Sequence, residues 1–142
     1  RTGPAPVMMT LNASKRDVCR VRREVTSSPL QAFVLLNGPQ FMEAARVMAA
    51  KLLATHQDSP ASLIEEAFQS FTSRFPGNRE REVLLKLHAQ QLAHYKANPP
   101  QAKGLLGIGA SPEAKGLPPH EVAAAAILIN TIMNLDEAVS KR

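Results

Sequence analysis

Proline-bearing breaks constrain this chain more than any other feature. Ser28-Pro29, Asn37-Gly38-Pro39, Ser59-Pro60, Pro76-Gly77-Asn78 and Asn98-Pro99-Pro100 divide residues 28–98 into short segments. Proline suits the first turn of a helix and disfavours its interior, so each break ends one element and permits another to begin. Between the breaks apolar side chains recur at helical spacing. Phe41, Ala45, Met48 and Leu52 share one face after Pro39, and Ile64, Phe68, Phe71 and Phe75 share one after Pro60. Leu84, Leu87 and Tyr95 mark a stripe on a longer helix that Asn78 caps and that runs to about Ala97, with Glu80 and Glu82 near its positive end. Ser28 and Gln31 have the spacing of a capping box around Pro29, which starts a helix that Asn37-Gly38-Pro39 stops after Leu36. The pattern predicts an all-α domain, a bundle of five to six helices.

The two ends differ from this middle. Residues 1–27 show no sustained helical period, and Pro4 and Pro6 favour extended neighbours. This stretch is expected to be an arm, with at most a short strand or turn around Val18–Val21. Residues 99–118 are a Gly/Pro-rich connection with one short helix near Gln101–Gly107. Residues 119–142 form a last helix, apolar nearly all round from Val122 to Ile129, as an element in the middle of a bundle should be. Within it Asn130 and Asn134 lie one turn apart. Buried amides need partners, so these two are expected to be structural anchors for the backbone of the arm or of the Asn37-Gly38 loop.

Charge is concentrated in the arm. Residues 1–24 carry Arg1, Lys15, Arg16, Arg20, Arg22 and Arg23 against Asp17 and Glu24, while the other eleven bases face ten acids. Such a segment suits phosphates or acidic partners. Nucleic acid is disfavoured, because two acids interrupt the run and no aromatic residue interleaves it for stacking. The arginines are better matched to carboxylates and carbonyls of a neighbouring domain. Arg16, Arg20, Arg22, Arg23, Gln31 and Asn37 are the candidate interaction or anion-binding residues.

Catalytic chemistry is hard to find. Cys19 is the one cysteine, and no histidine lies near it in sequence to act as its base. His88 and His94 are six residues apart and leave a common helix face, and Glu65 and Glu66 diverge. Gly104, Gly107 and Gly109 lack the spacing and the Gly-Lys-Ser/Thr end of a phosphate-cradling loop. No catalytic residue, metal ligand or cofactor-binding residue is assigned. No apolar run approaches the ~20 residues that span a bilayer, and nothing resembles a signal peptide. The opening Arg1-Thr2-Gly3-Pro4 without an initiator Met reads as part of a longer protein, whose location the segment leaves open.

The segment RTGPAPVMMTLNASKRDVCRVRREVTSSPLQAFVLLNGPQFMEAAR resembles the C-terminal domain of large planctomycete-type proteins, a family designated domain of unknown function fifteen-fifty-three. Cys19, Arg22, Arg23, Thr26, Pro29, Leu30, Gln31, Ala32, Leu35, Leu36, Asn37, Pro39, Phe41, Glu43, Ala44, Ala45 and Arg46 fit its pattern. Ala67-Phe68 with Arg74 and Pro76, and Asn134-Leu135-Asp136-Glu137, look like two later motifs. Asn12, Ser28 and Gly38 depart from it, the family favouring Asp, Asn and Asp there. The first two departures weaken any catalytic role for an acid or amide at those positions. The resemblance implies an exported protein of the periplasm or cell envelope with further domains upstream. Such a protein often carries a cytochrome-c-like haem domain, so any haem would lie outside this chain. It also implies a setting of polysaccharide breakdown. The expected function is therefore a non-catalytic structural or interaction module of a larger multidomain protein. Its partners would be upstream domains and, as a further candidate, an anionic polysaccharide. The alternative is part of a composite active site, in redox or sulfated-polysaccharide chemistry, where Arg22, Arg23, Gln31 and Asn37 would line a cleft shared with an upstream domain.

Overall fold

A computed structural model describes residues 5–13, 21, 26, 28–56 and 59–139. Among them are eight helices and no strand: α1 (Pro6–Thr10), α2 (Pro29–Asn37), α3 (Pro39–Thr55), α4 (Pro60–Thr72), α5 (Asn78–Ala97), α6 (Pro99–Leu106), α7 (Pro119–Met133) and α8 (Asp136–Val139). The all-α class is as the sequence predicts. Six helices begin with proline in the first turn, where its missing N–H costs nothing.

α7 is the axis of the bundle. α3, α5 and α6 pack against it, α4 joins them, and Val122–Ala126, Leu128–Asn130 and Ile132 are buried there. Four consecutive alanines, Ala123–Ala126, let neighbouring backbones approach from several sides, and Leu128, Ile129 and Ile132 fill the wider levels. Ala45, Ala49, Leu52 and Leu53 of α3 face it, with Leu63, Ile64, Ala67 and Phe68 of α4 completing that side. No helix among the described residues is long and apolar enough to cross a membrane.

Three details differ from the sequence expectation. Two extra short helices raise the number above five to six. α1 forms inside the arm, where Thr10 Oγ1 donates back to the Pro6 carbonyl at 3.1 Å; five residues are too few to show a period. The last helix stops at Met133, and α8 follows after Asn134, led by Asp136 and Glu137 at its positive end. α4 ends at Thr72 because Ser73 turns left-handed (φ 60°), which swings Phe75 off the core stripe and into solvent. Gly77 takes the N-cap of α5 in place of Asn78, and its N–H donates to the Glu80 carboxylate at 2.7 Å.

Candidate functional site

α2 is inverted. Its sequence, PLQAFVLLN, is almost wholly apolar, yet its one buried residue is Gln31, while Leu30 and Phe33 are 60% and 63% exposed and Leu36 is exposed beside them. The cause is the hydrogen-bonding demand of the Gln31 amide. Its Oε1 accepts from the Ser28 N–H at 2.8 Å, and the Gln31 N–H donates to Ser28 Oγ at 3.3 Å, closing the capping box. Its Nε2 donates to the Thr10 carbonyl at 2.9 Å and to Thr26 Oγ1 at 3.0 Å, and Asn12 Nδ2 donates to the same hydroxyl at 2.7 Å. One side chain thus ties α1 to α2. Met8, Met9 and Leu11 of the α1 region are exposed as well, and neither helix contains a charged residue.

The far end of α2 is held from the core. Asn130 Nδ2 donates to the Leu36 carbonyl at 2.9 Å, and Asn134 Nδ2 donates to the Asn130 carbonyl and Oδ1 at 2.7 and 3.2 Å. Asn37 turns back on its own helix, donating to the Phe33 carbonyl at 3.0 Å. At Gly38 the α2–α3 corner is so tight that a Cβ would lie 2.6 Å from the Val34 carbonyl oxygen.

Two polar knots brace the remainder. On α3, Glu43 and Arg46 project one turn apart toward the loop after α6. Glu43 Oε1 accepts from the Ala110 N–H (3.0 Å), the Ser111 N–H (2.6 Å) and Ser111 Oγ (2.5 Å), and those donors hold its carboxyl below the usual range. Arg46, 2% exposed, donates from Nη2 to the Ser111 carbonyl at 2.8 Å and from Nη1 to the Pro112 carbonyl at 3.2 Å. Its buried Nε finds no acceptor among the described residues. A groove of about 330 Å³ lies behind this loop, walled mainly by Ala50, Leu106, Leu117 and Val122, with Arg46 in its lining.

At the opposite corner Arg74 stacks over the Phe68 ring, 4.8 Å from its centroid. Its guanidinium donates to Glu80 twice at 2.8 Å and to Glu137 from Nε and Nη2 at 2.8–3.2 Å. This fastens the end of α4 to the starts of α5 and α8. The Arg74 hydrogen bonds, helped by the Gly77 N–H, pull the Glu80 carboxyl down to about 2, and Arg74 itself is raised.

Of the residues singled out from sequence, Gln31, Asn130 and Asn134 are thus parts of the internal bracing, and Asn37 bonds within α2. Arg16, Arg20, Arg22, Arg23 and Cys19 lie outside the described residues. No three His, Cys, Asp or Glu side chains gather as a metal centre requires among the described residues. His56 pairs with Glu66, and Arg81 pairs with Glu65 at 2.5 Å. His88 of α5 is buried, its Nε2 has no hydrogen-bond partner among the described residues, and burial lowers its pKa against the pull of Glu121. The Glu43–Arg46 clamp was readable only in part. Their spacing of three puts both on one helix face, but the loop they hold is more than sixty residues away.

A family model described as PSD1, protein of unknown function (DUF1553), matches residues 1–88. No curated protein and no solved structure matches the chain.

Proposed function

The chain belongs to the PSD1 family of proteins of unknown function, and from that premise we propose that it is a non-catalytic structural or interaction module of a larger protein. The observation that carries this reading is the inverted α2: the amide is spent inside and the leucines and phenylalanine are presented outside. Met8 and Met9 of α1, Leu11 beside it, and Leu30, Phe33 and Leu36 of α2 leave large apolar side chains in solvent, the kind of surface that marks a contact with another part of a protein. Arg16, Arg20, Arg22 and Arg23, which enter the sequence between α1 and α2, supply the polar margin of that contact in this reading.

The motifs' resemblance supports export of the parent protein to the periplasm or cell envelope, any haem being held by another domain. It also supports an anionic polysaccharide as an outside partner of the arginines. A composite active site would have to be built without the Gln31 and Asn37 amides, which already donate to Thr10 and Thr26 and to Phe33.

Hydrogen exchange on the full-length protein and on residues 1–142 alone tests the reading. Slower exchange across residues 29–37 in the full-length protein, abolished by Phe33→Asp, is the expected result. Equal exchange in both, or loss of a full-length activity in Arg22→Ala with folding intact, overturns it.

A further inference from the structure

Arg46 carries a positive charge that the fold encloses without pairing. The side chain is 2% exposed, and its two bonds go to backbone carbonyls, those of Ser111 and Pro112. No carboxylate among the described residues lies within 4.0 Å of it, not even Glu43 one turn earlier on α3. Glu43 turns its bonded oxygen to Ala110 and Ser111 instead. The Nε of Arg46 is buried and has no partner among the described residues. Buried charges are ordinarily paired, and a buried donor ordinarily finds an acceptor.

The same side chain lines the groove of about 330 Å³ behind the loop. The rest of that lining suits hydrocarbon: Ala50 and Ala54 of α3, Leu106 of α6, Leu117 of the loop and Val122 of α7. Lys51 and Glu113 also border it, but both are exposed and opposite in sign, so together they add no net charge. An apolar groove with one enclosed, unpaired guanidinium in its wall has the composition of a ligand site.

We propose that this groove binds a small monocarboxylic acid with an aliphatic body. The carboxylate accepts from Nε and Nη2 of Arg46 side by side, the two-point geometry in which guanidinium and carboxylate match. The aliphatic body lies against Ala50, Leu106, Leu117 and Val122. One enclosed positive charge suits one negative charge. A phosphate monoester, at about −1.5 to −2, would leave negative charge uncompensated beside Glu113. The volume is at the small end of the ~300–1,000 Å³ typical of ligand sites, room for a short chain and not for a polymer. Nε is covered, so entry displaces part of the wall, and Pro112–Ala114 is a stretch of that wall outside any helix. No residue of α1 or α2 lines the groove, so this proposal and the docking role of α2 can fail separately.

Titration calorimetry of the 142-residue chain at low salt tests it, with hexanoate, acetate, 1-hexanol and hexyl phosphate in parallel. Hexanoate is expected to bind one-to-one with Kd below about 1 mM. Acetate, which lacks the body, and hexanol, which lacks the charge, should each bind about tenfold more weakly or worse. Arg46→Met should weaken hexanoate about tenfold or more, by loss of the charge-assisted pair. Ala50→Leu narrows the groove and leaves Arg46 in place, so a similar loss there, with the melt retained, reports the groove even where Arg46→Met unfolds. The proposal is overturned by no saturable heat from hexanoate up to about 10 mM. It is overturned equally by hexanol or acetate binding as well as hexanoate, by hexyl phosphate binding more tightly, or by undiminished binding in either folded variant.

Discussion

Gly109 lies directly under the Glu43 carboxylate, so close that a Cβ at 109 would overlap it. The backbone there is left-handed, φ +95°, a conformation that side chains other than glycine's resist. Close approach and backbone geometry together let one carboxylate reach three donors at Ala110 and Ser111.

Gly109→Ala is therefore expected to destabilise by about 1–3 kcal/mol, the usual range for strain at such a position. The loss should be local. Hydrogen exchange at the Ala110 and Ser111 amides will speed up before the core amides of α7 change.

Arg46→Met tests the other half of the clamp. It keeps the buried aliphatic length but removes the donors to the Ser111 and Pro112 carbonyls, and it leaves Glu43 without its nearby cation. A loss of about 1.5–3 kcal/mol in urea unfolding is expected, the range for hydrogen bonds to a charged group. Combined with Gly109→Ala, the two losses should add to less than their sum, because both break one contact.

The inversion of α2 predicts opposite outcomes from the usual rule. Gln31→Leu, which makes the helix more hydrophobic, should cost about 1–2 kcal/mol by removing the capping box and the bonds to Thr10 and Thr26. Phe33→Ser, which makes it more polar, should leave the isolated chain within about 0.5 kcal/mol of the parent. Thermal melts of the two variants side by side decide this.

Asn130→Ala should uncouple α2 from the core at its other end, with a loss of about 1–3 kcal/mol from the stranded Leu36 carbonyl and the cavity left in α7. Protease cleavage near residues 36–38 would report the detachment directly.

Acid should weaken the fold in two steps. His88 is lowered from 6.5, so below that pH the unfolded chain takes up a proton that the folded one refuses. Stability falls as pH drops through 6.5, and levels off once the folded state also binds. Glu80, lowered from 4.5 to about 2, and Glu43, also lowered, act the same way further down, and their contribution is lost between pH 4.5 and about 2. The Glu80 pair is exposed and screened by salt, so its step is about 1 kcal/mol or less. Urea midpoints measured across pH 3–8 should show both steps, with His88→Leu removing only the upper one.

The helical class and most helix starts are legible in the sequence because proline and the caps act within a few residues. Ser28 with Gln31, and Pro39, Pro60 and Pro99 all mark real starts. What local pattern does not show is what distant residues decide. The apolar residues of α2 read as core, yet the demand of Gln31 for Thr10 and Thr26 turns them outward. Ser73 leaves α4 in a left-handed conformation without the glycine that would announce it, which is why Phe75 reads as buried and is not.

The place of α7 in the bundle has a consequence for synthesis. The axis on which α3 to α6 pack is synthesised after all four of them, so everything from α3 to α6 waits for residue 119 onward without its centre. The family-matched span ends at residue 88 and cannot bury Ala45, Ala49 or Phe68 by itself. A nascent chain stalled before α7 should therefore remain open to chaperones and proteases, and folding should finish in a single late step.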